Sequence, residues 1–204
     1  MLKALCMIVL LFIGFFLLDT GEKASKKKMH IILTGGPGGG KSTLLKALSN
    51  RGFTCVDEVA REIIKKQVAV NGEALPWKNC EDFRNKMFEE QIKVLESAPQ
   101  DDIIFFDRGP IDCLVYSQLI GADIPEEMEH ICSGRKFHPL VFVTPPWKKI
   151  YENDQERKQT FDEAIETYDQ IVATYRAYGY EIIVLPQVDV EKRVQFILQR
   201  LDLG

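Results

Sequence analysis

The stretch GGPGGGKST, from Gly35 to Thr43, constrains the fold of this 204-residue chain more than any other. It carries the spacing Gly35-x-x-x-x-Gly40-Lys41-Ser42 and sits between a short apolar, β-branched run, His30 to Thr34, and a helical pattern over Ser42 to Ser49. A turn this rich in glycine leaves its backbone N–H groups uncrowded, so they can surround phosphate oxygens, and a helix starting behind it adds its positive dipole end. The expected order is therefore strand, phosphate-binding loop, helix. Gly35, Gly36, Pro37, Gly38, Gly39, Gly40, Lys41, Ser42 and Thr43 form the cradle, with Lys41 reaching the β and γ phosphates of a nucleotide and Ser42 placing its hydroxyl on Mg²⁺. A glycine-rich turn without a ligand is the competing reading, and the flanking strand and helix argue against it.

The remaining sequence alternates strand and helix patterns. Strands are expected at Phe53 to Val56, Asp102 to Asp107, Leu140 to Thr144 and Glu181 to Leu185, each a short apolar run bounded by turn or polar residues. Helices are expected over Asp57 to Gln67, Glu81 to Glu96, Ile111 to Ile120 and Pro125 to Ile131. Another begins near Phe161, where Ala164, Ile165, Tyr168, Ile171, Val172 and Tyr175 step by threes and fours, and a last one carries Val190, Val194, Ile197, Leu198 and Leu201. Such alternation predicts a parallel sheet with helices on both faces, whose ligand sites lie at the carboxyl ends of the strands. Gly35, Asp57, Asp107 and Thr144 all fall at those ends and are expected to converge.

Three groups of residues extend the phosphate site. Asp107 ends an apolar strand, where a carboxylate can hold Mg²⁺ directly or through water, and Arg108 beside it offers a planar fork of donors to phosphate; a structural ion pair is the alternative for both. After the second strand, Asp57 and Glu58 are candidates for orienting or deprotonating an acceptor hydroxyl. Against that, Asp57 could be a helix N-cap with Glu58 and Arg61 on a solvated face. The polar run YENDQERKQTFDEA reads as a lid whose Arg157 and Lys158 close over the phosphates, or as a solvent-facing charge run. Pro186 to Asp189 is expected to border the base.

Composition limits the remaining possibilities. With 46% hydrophobic residues the chain can bury one full core. Its net charge of -4 excludes a general nucleic-acid binder, which needs a cationic surface. Cys6, Cys55, Cys80, Cys113 and Cys132 include no CxxC pair and read as reduced thiols of a cytoplasmic domain; with His30, His130 and His138 they show no zinc-ligand spacing.

Residues 1–18 are apolar except for Lys3, and the basic linker through Lys28 completes a segment distinct from the domain expected over 29–204. The run Ala4 to Leu18 would span about 22 Å as a helix against a hydrocarbon core of about 30 Å, and only counting from Met1 could it cross. It is read as a membrane anchor or as an upstream extension before Met29. A signal peptide fits less well, having no A-x-A-like cleavage site. As an anchor, with Lys23, Lys26, Lys27 and Lys28 on its C-terminal side, it keeps the domain on the cytoplasmic face.

Together, ILTGGPGGGKSTL, DEVAREI, FFDRGPIDCL and VFVTPPWKKIYENDQERKQTFDEAIETYD resemble the NadR-like kinase group of P-loop proteins, which includes bacterial chains known only as predicted ATPases. The resemblance runs from about Met29 to Leu201. It implies an α/β nucleotide-kinase-like P-loop fold with sheet order 2-3-1-4-5, ATP or GTP with Mg²⁺ in the cradle, Asp107 and Arg108 as a DR pair, and Arg157 as the lid arginine. It implies no particular acceptor, and the apolar leader lies outside it. The expected partners are thus a nucleotide and a small hydroxyl-bearing, nucleoside-like acceptor, with membrane contact through residues 1–28 if these anchor the chain. The expected activity is phosphoryl transfer; a nucleotide-controlled switch without an acceptor and a binding module without turnover are the alternatives.

Overall fold

The computed structural model describes residues 28–99, 102–134, 136–151 and 160–203. The apolar segment 1–18, Arg157 and Lys158 lie outside these residues. Among the described residues no helix is long and apolar enough to cross a membrane.

Among the described residues five strands, β1 (Met29–Gly35), β2 (Thr54–Val56), β3 (Ile103–Asp107), β4 (Leu140–Thr144) and β5 (Glu181–Val184), form one sheet of order β2-β3-β1-β4-β5. Every pairing in it is parallel. Among the described residues seven α-helices accompany them: α1 (Lys41–Ser49), α2 (Val59–Ala69), α3 (Cys80–Ser97), α4 (Pro110–Leu119), α5 (Glu126–Ser133), α6 (Phe161–Ala177) and α7 (Val190–Arg200). A 3-10 turn, Lys148–Ile150, follows β4. The expected parallel sheet and its strand order are both observed.

Side-chain alternation along the strands divides the core into two layers, because successive Cβ atoms point to opposite faces. Ile31 and Leu33 of β1, Phe105 of β3 and Phe142 of β4 pack with Leu44, Leu45 and Leu48 of α1 and Val194, Ile197 and Leu198 of α7. On the other face Ile32, Val141 and Val143 meet Phe83 and Met87 of α3, Leu114 of α4, and Ile171 and Tyr175 of α6. Burying each such aliphatic or aromatic side chain stabilises the fold by roughly 1.5–3 kcal/mol. Strands covered on both faces read as unbroken apolar runs, which is why IIFFD and LVFVT were legible as strands.

Element ends differ from expectation by one or two residues for tertiary reasons. β1 includes Met29 and Gly35 because these residues align with Ile103 of β3 and Thr144 of β4. The second helix begins at Val59, with Glu58 at the cap position and no side-chain cap bond, so the N-cap reading of Asp57 is corrected.

Candidate functional site

The carboxyl ends of β1, β2, β3 and β4 open on one side, and the loop from Gly36 to Gly40 crosses them. Gly35 has φ 136°, and a Cβ on it would stand 2.2 Å from Thr144 Oγ1 and 2.5 Å from the Thr144 carbonyl oxygen. Only glycine lets the loop leave β1 against β4 this closely. At Gly40 the backbone is left-handed, with φ 77°, which turns the chain directly into α1.

A cavity of about 600 Å³ lies over this loop, lined by Pro37 through Thr43, Glu58, Arg61, Asp107 and Arg108, and also by Trp147, Ile150, Val188 and Arg193. Gly35 and Gly36 shape it from below: their carbonyl oxygens accept from Lys41 Nζ at 2.8 and 3.0 Å. Burial lowers the Lys41 ammonium to about 8; Arg108 adds to this, while Asp107, Glu58 and Asp112 oppose it. An ammonium so held is preorganised for an anion that would replace those carbonyls.

Asp107 is buried at the end of β3. Burial pushes its carboxyl up to about 6, opposed by Lys41 and reinforced by Glu58. Its Oδ1 has no hydrogen-bond partner, and Ser42 is exposed in the same cavity. An unsatisfied carboxylate oxygen and a hydroxyl are hard donors, and they fit Mg²⁺ better than a soft metal.

Arg108 takes φ 72°, a left-handed conformation that costs a non-glycine residue about 1–2 kcal/mol. It is over-determined by its partners. Its N–H bonds the Leu33 carbonyl at 3.0 Å, its Nε donates to Glu58 Oε1 at 2.7 Å, and its Nη1 donates to Asp112 Oδ1 at 3.2 Å. Burial alone would raise the Glu58 carboxyl, but Arg108, then Lys41, pulls it down to about 2. Glu58 is thus a carboxylate throughout the physiological range. Asp57, by contrast, is exposed and lines a small recess with Gly109 and Phe137, outside the main cavity.

A second cavity of about 250 Å³ adjoins the first and shares Pro37, Glu58, Ala60, Ile64 and Arg108 with it. Its other walls are mainly apolar: Phe83, Met87, Val115, Leu119 and Ile171, with Tyr116, Gln91 and Thr167 among the polar contributors.

Three residues of this region carry no signal in the spacing. Asp112 accepts from Thr34 Oγ1 at 2.6 Å, Gly109 N–H at 2.9 Å and Tyr175 Oη at 2.6 Å as well as from Arg108, and so ties β1, α4 and α6 beneath the site. By position alone it is an acidic residue in the first turn of a helix. Trp147 and Arg193 reach the cavity from segments far apart in sequence, and Arg193 borders an apolar helical stripe that masks it. Of the segment expected to border the base, Val188 and Asp189 do line the cavity.

These features define a P-loop nucleotide-binding fold of the kinase-like type. A family model described as an AAA domain matches residues 30–193, and the chain belongs to that family. Two nucleotide-binding proteins of Staphylococcus aureus are similar. The one from strain MRSA252 is 22% identical over 205 aligned positions, covering 88% of this chain and 66% of its own length. The one from strain bovine RF122 / ET3-1 is 23% identical over 129, covering 61% and 40%. The chain thus spans less than two thirds of either relative. Among solved structures, NadR in complex with NR superposes with a TM-score of 0.65 at 16% identity, over 87% of this chain and 52% of that one. Shikimate kinase from Acinetobacter baumannii in complex with shikimate gives 0.56 at 16%, over 88% and 96%. Deoxyadenosine kinase from M. mycoides with bound dATP gives 0.51 at 20%, over 85% and 100%. At these identities the likeness is one of fold, and it agrees with the NadR-like resemblance.

Proposed function

We propose that this chain is an ATP- or GTP-dependent phosphotransferase acting on a small, hydroxyl-bearing acceptor of nucleoside-like size. The observation that carries this reading is the pair of cavities meeting at Glu58 and Arg108. A hydrolase or switch needs only the first; a second, mainly apolar chamber opening on the same carboxylate suits an organic acceptor. Similarity to NadR, shikimate kinase and deoxyadenosine kinase supports the same reaction class.

In this mechanism the cradle N–H groups and Lys41 bind the β and γ phosphates, and Arg108 neutralises charge on the transferring group. Ser42 and Asp107 would hold Mg²⁺, which supplies further neutralisation of phosphate charge when bound. Glu58 accepts a hydrogen bond from the acceptor hydroxyl and aims its oxygen at the γ phosphorus. The new oxygen–phosphorus bond forms as the bond to the β–γ bridging oxygen breaks, leaving the nucleoside diphosphate. With a pKa of about 2, Glu58 is a weak base. Its role is to orient, and the hydroxyl proton passes late to a non-bridging oxygen of the transferred phosphoryl group, as a loose phosphoryl-transfer transition state allows. Arg157 is proposed to close the phosphate site from the lid segment.

An acceptor screen tests the proposal. Diphosphate release should rise with one class of alcohol, nucleosides being the first to try, and Lys41→Ala should abolish both that release and tight nucleotide binding. Slow release indifferent to every acceptor would replace the kinase by a nucleotide switch. Unchanged affinity in Lys41→Ala would remove the cradle assignment itself.

A further inference from the structure

Arg193, on the first turns of α7, is 3% exposed. Among the described residues no carboxylate pairs with it. Its Nη2 donates to the Gly39 carbonyl at 3.1 Å, its Nε is buried without a partner, and its guanidinium carbon lies 5.8 Å from the centre of the Trp147 ring. A cation in this position is costly twice over. Burial without a counter-charge penalises it, and it sits near the positive end of a helix dipole. Burial also lowers its pKa, although a guanidinium stays charged at any physiological pH.

What would offset that cost is an anion, and the geometry indicates where it binds. Arg193 Nη1 lies 3.0 Å from the position a Cβ on Gly40 would take, so the guanidinium stands against the phosphate loop on the side where Gly40 has no side chain. Gly38 through Thr43 and Arg193 line one continuous cavity. The same helix terminus that disfavours the arginine favours a phosphate beside it.

We infer that Arg193 is a phosphate-recognising residue of the nucleotide cavity, a second fixed cation that acts with Lys41 on the polyphosphate of the bound nucleotide. The inference rests on the nucleotide-binding part of the proposed function. Trp147 packs over the guanidinium and limits the directions its donors can take, and the Gly39 carbonyl holds one of them, so the fork meets the ligand already oriented.

Wild type, Arg193→Met and Arg193→Gln should be titrated calorimetrically with the nucleoside triphosphate, the diphosphate and free tripolyphosphate, each with Mg²⁺. Both variants should lose roughly tenfold to a hundredfold in affinity for all three ligands, the scale of one hydrogen bond to a charged group. Ligand-free Arg193→Met should melt no lower than wild type, since it removes an uncompensated buried charge. Triphosphate affinity unchanged in either variant would overturn the inference. So would a loss for the triphosphate with none for tripolyphosphate, which would move Arg193 to reading the base, or a lowered melting temperature with equal affinity, which would make it a strut for the loop. If wild type binds no nucleotide at all, the nucleotide reading itself falls, an outcome distinct from these.

Discussion

Glu58 is the residue on which the two cavities turn, and its ionisation can be read from stability. Its folded pKa of about 2 lies below the ordinary value of 4.5, because Arg108 and Lys41 outweigh the effect of burial. A carboxyl depressed in this way stabilises the fold fully above its unfolded pKa, and the contribution is lost as pH falls through the folded value. Glu58→Gln should therefore cost at most about 3 kcal/mol at neutral pH in urea unfolding, with the gap to wild type closing between about pH 4.5 and 2. A constant gap across that window would detach the Glu58–Arg108 pair from the stability of the fold. Asp107 acts in the opposite direction: its raised pKa means that stability falls as pH rises from about 4 towards 6. At this scale the sequence was informative about residue type and less so about pairing. GGPGGGKST specified its own loop because glycine and lysine act there through local backbone geometry. Asp57 and Glu58 were indistinguishable in sequence, and only the start of α2 at Val59 directs one of them into the cavity.

Among the elements, α4 links the site to the core. Its first-turn Asp112 accepts from residues of β1 and α6, and the Tyr175 hydroxyl that reaches it at 2.6 Å is fully buried. Tyr175→Phe keeps the ring packing and removes one donor from a buried carboxylate. It should cost roughly 1.5–3 kcal/mol in thermal or urea unfolding. It should also weaken the hold on Arg108, raising the acceptor KM more than it changes nucleotide affinity; an effect below about 0.5 kcal/mol would show that Asp112 is satisfied without it. The elements themselves were legible because strands buried on both faces are unbroken apolar runs and the helices show the 3.6-residue period. Their ends were less so. Which residue is last in β1 depends on β3 and β4, and which is first in α2 depends on where Glu58 finds its arginine.

On the scale of the molecule, the sheet order places β1 between β3 and β4, so that the phosphate loop, the Asp107–Arg108 corner and the Thr144 strand end share one edge. The helices α3, α4 and α6 then enclose the second cavity. Met87 lines that cavity and lies outside the first. Met87→Trp should fill it, raising the acceptor KM by roughly tenfold or more while nucleotide affinity, measured by calorimetry, stays within about twofold. Equal loss for both ligands would mean that the two chambers are not separate sites.

The sequence by itself determined the loop, the alternation of strands and helices, and the set of charged residues at strand ends, because each depends on local backbone preference or on a short period of burial. The tertiary structure decided what those residues do to one another. It placed Glu58 in the main cavity and Asp57 outside it, made Asp112 the support of Arg108, and set Arg193 against the phosphate loop across 154 residues of chain. It also enclosed a second chamber whose walls come from elements separated in sequence. Contacts of that kind follow from sheet order and helix packing, and no local pattern encodes them.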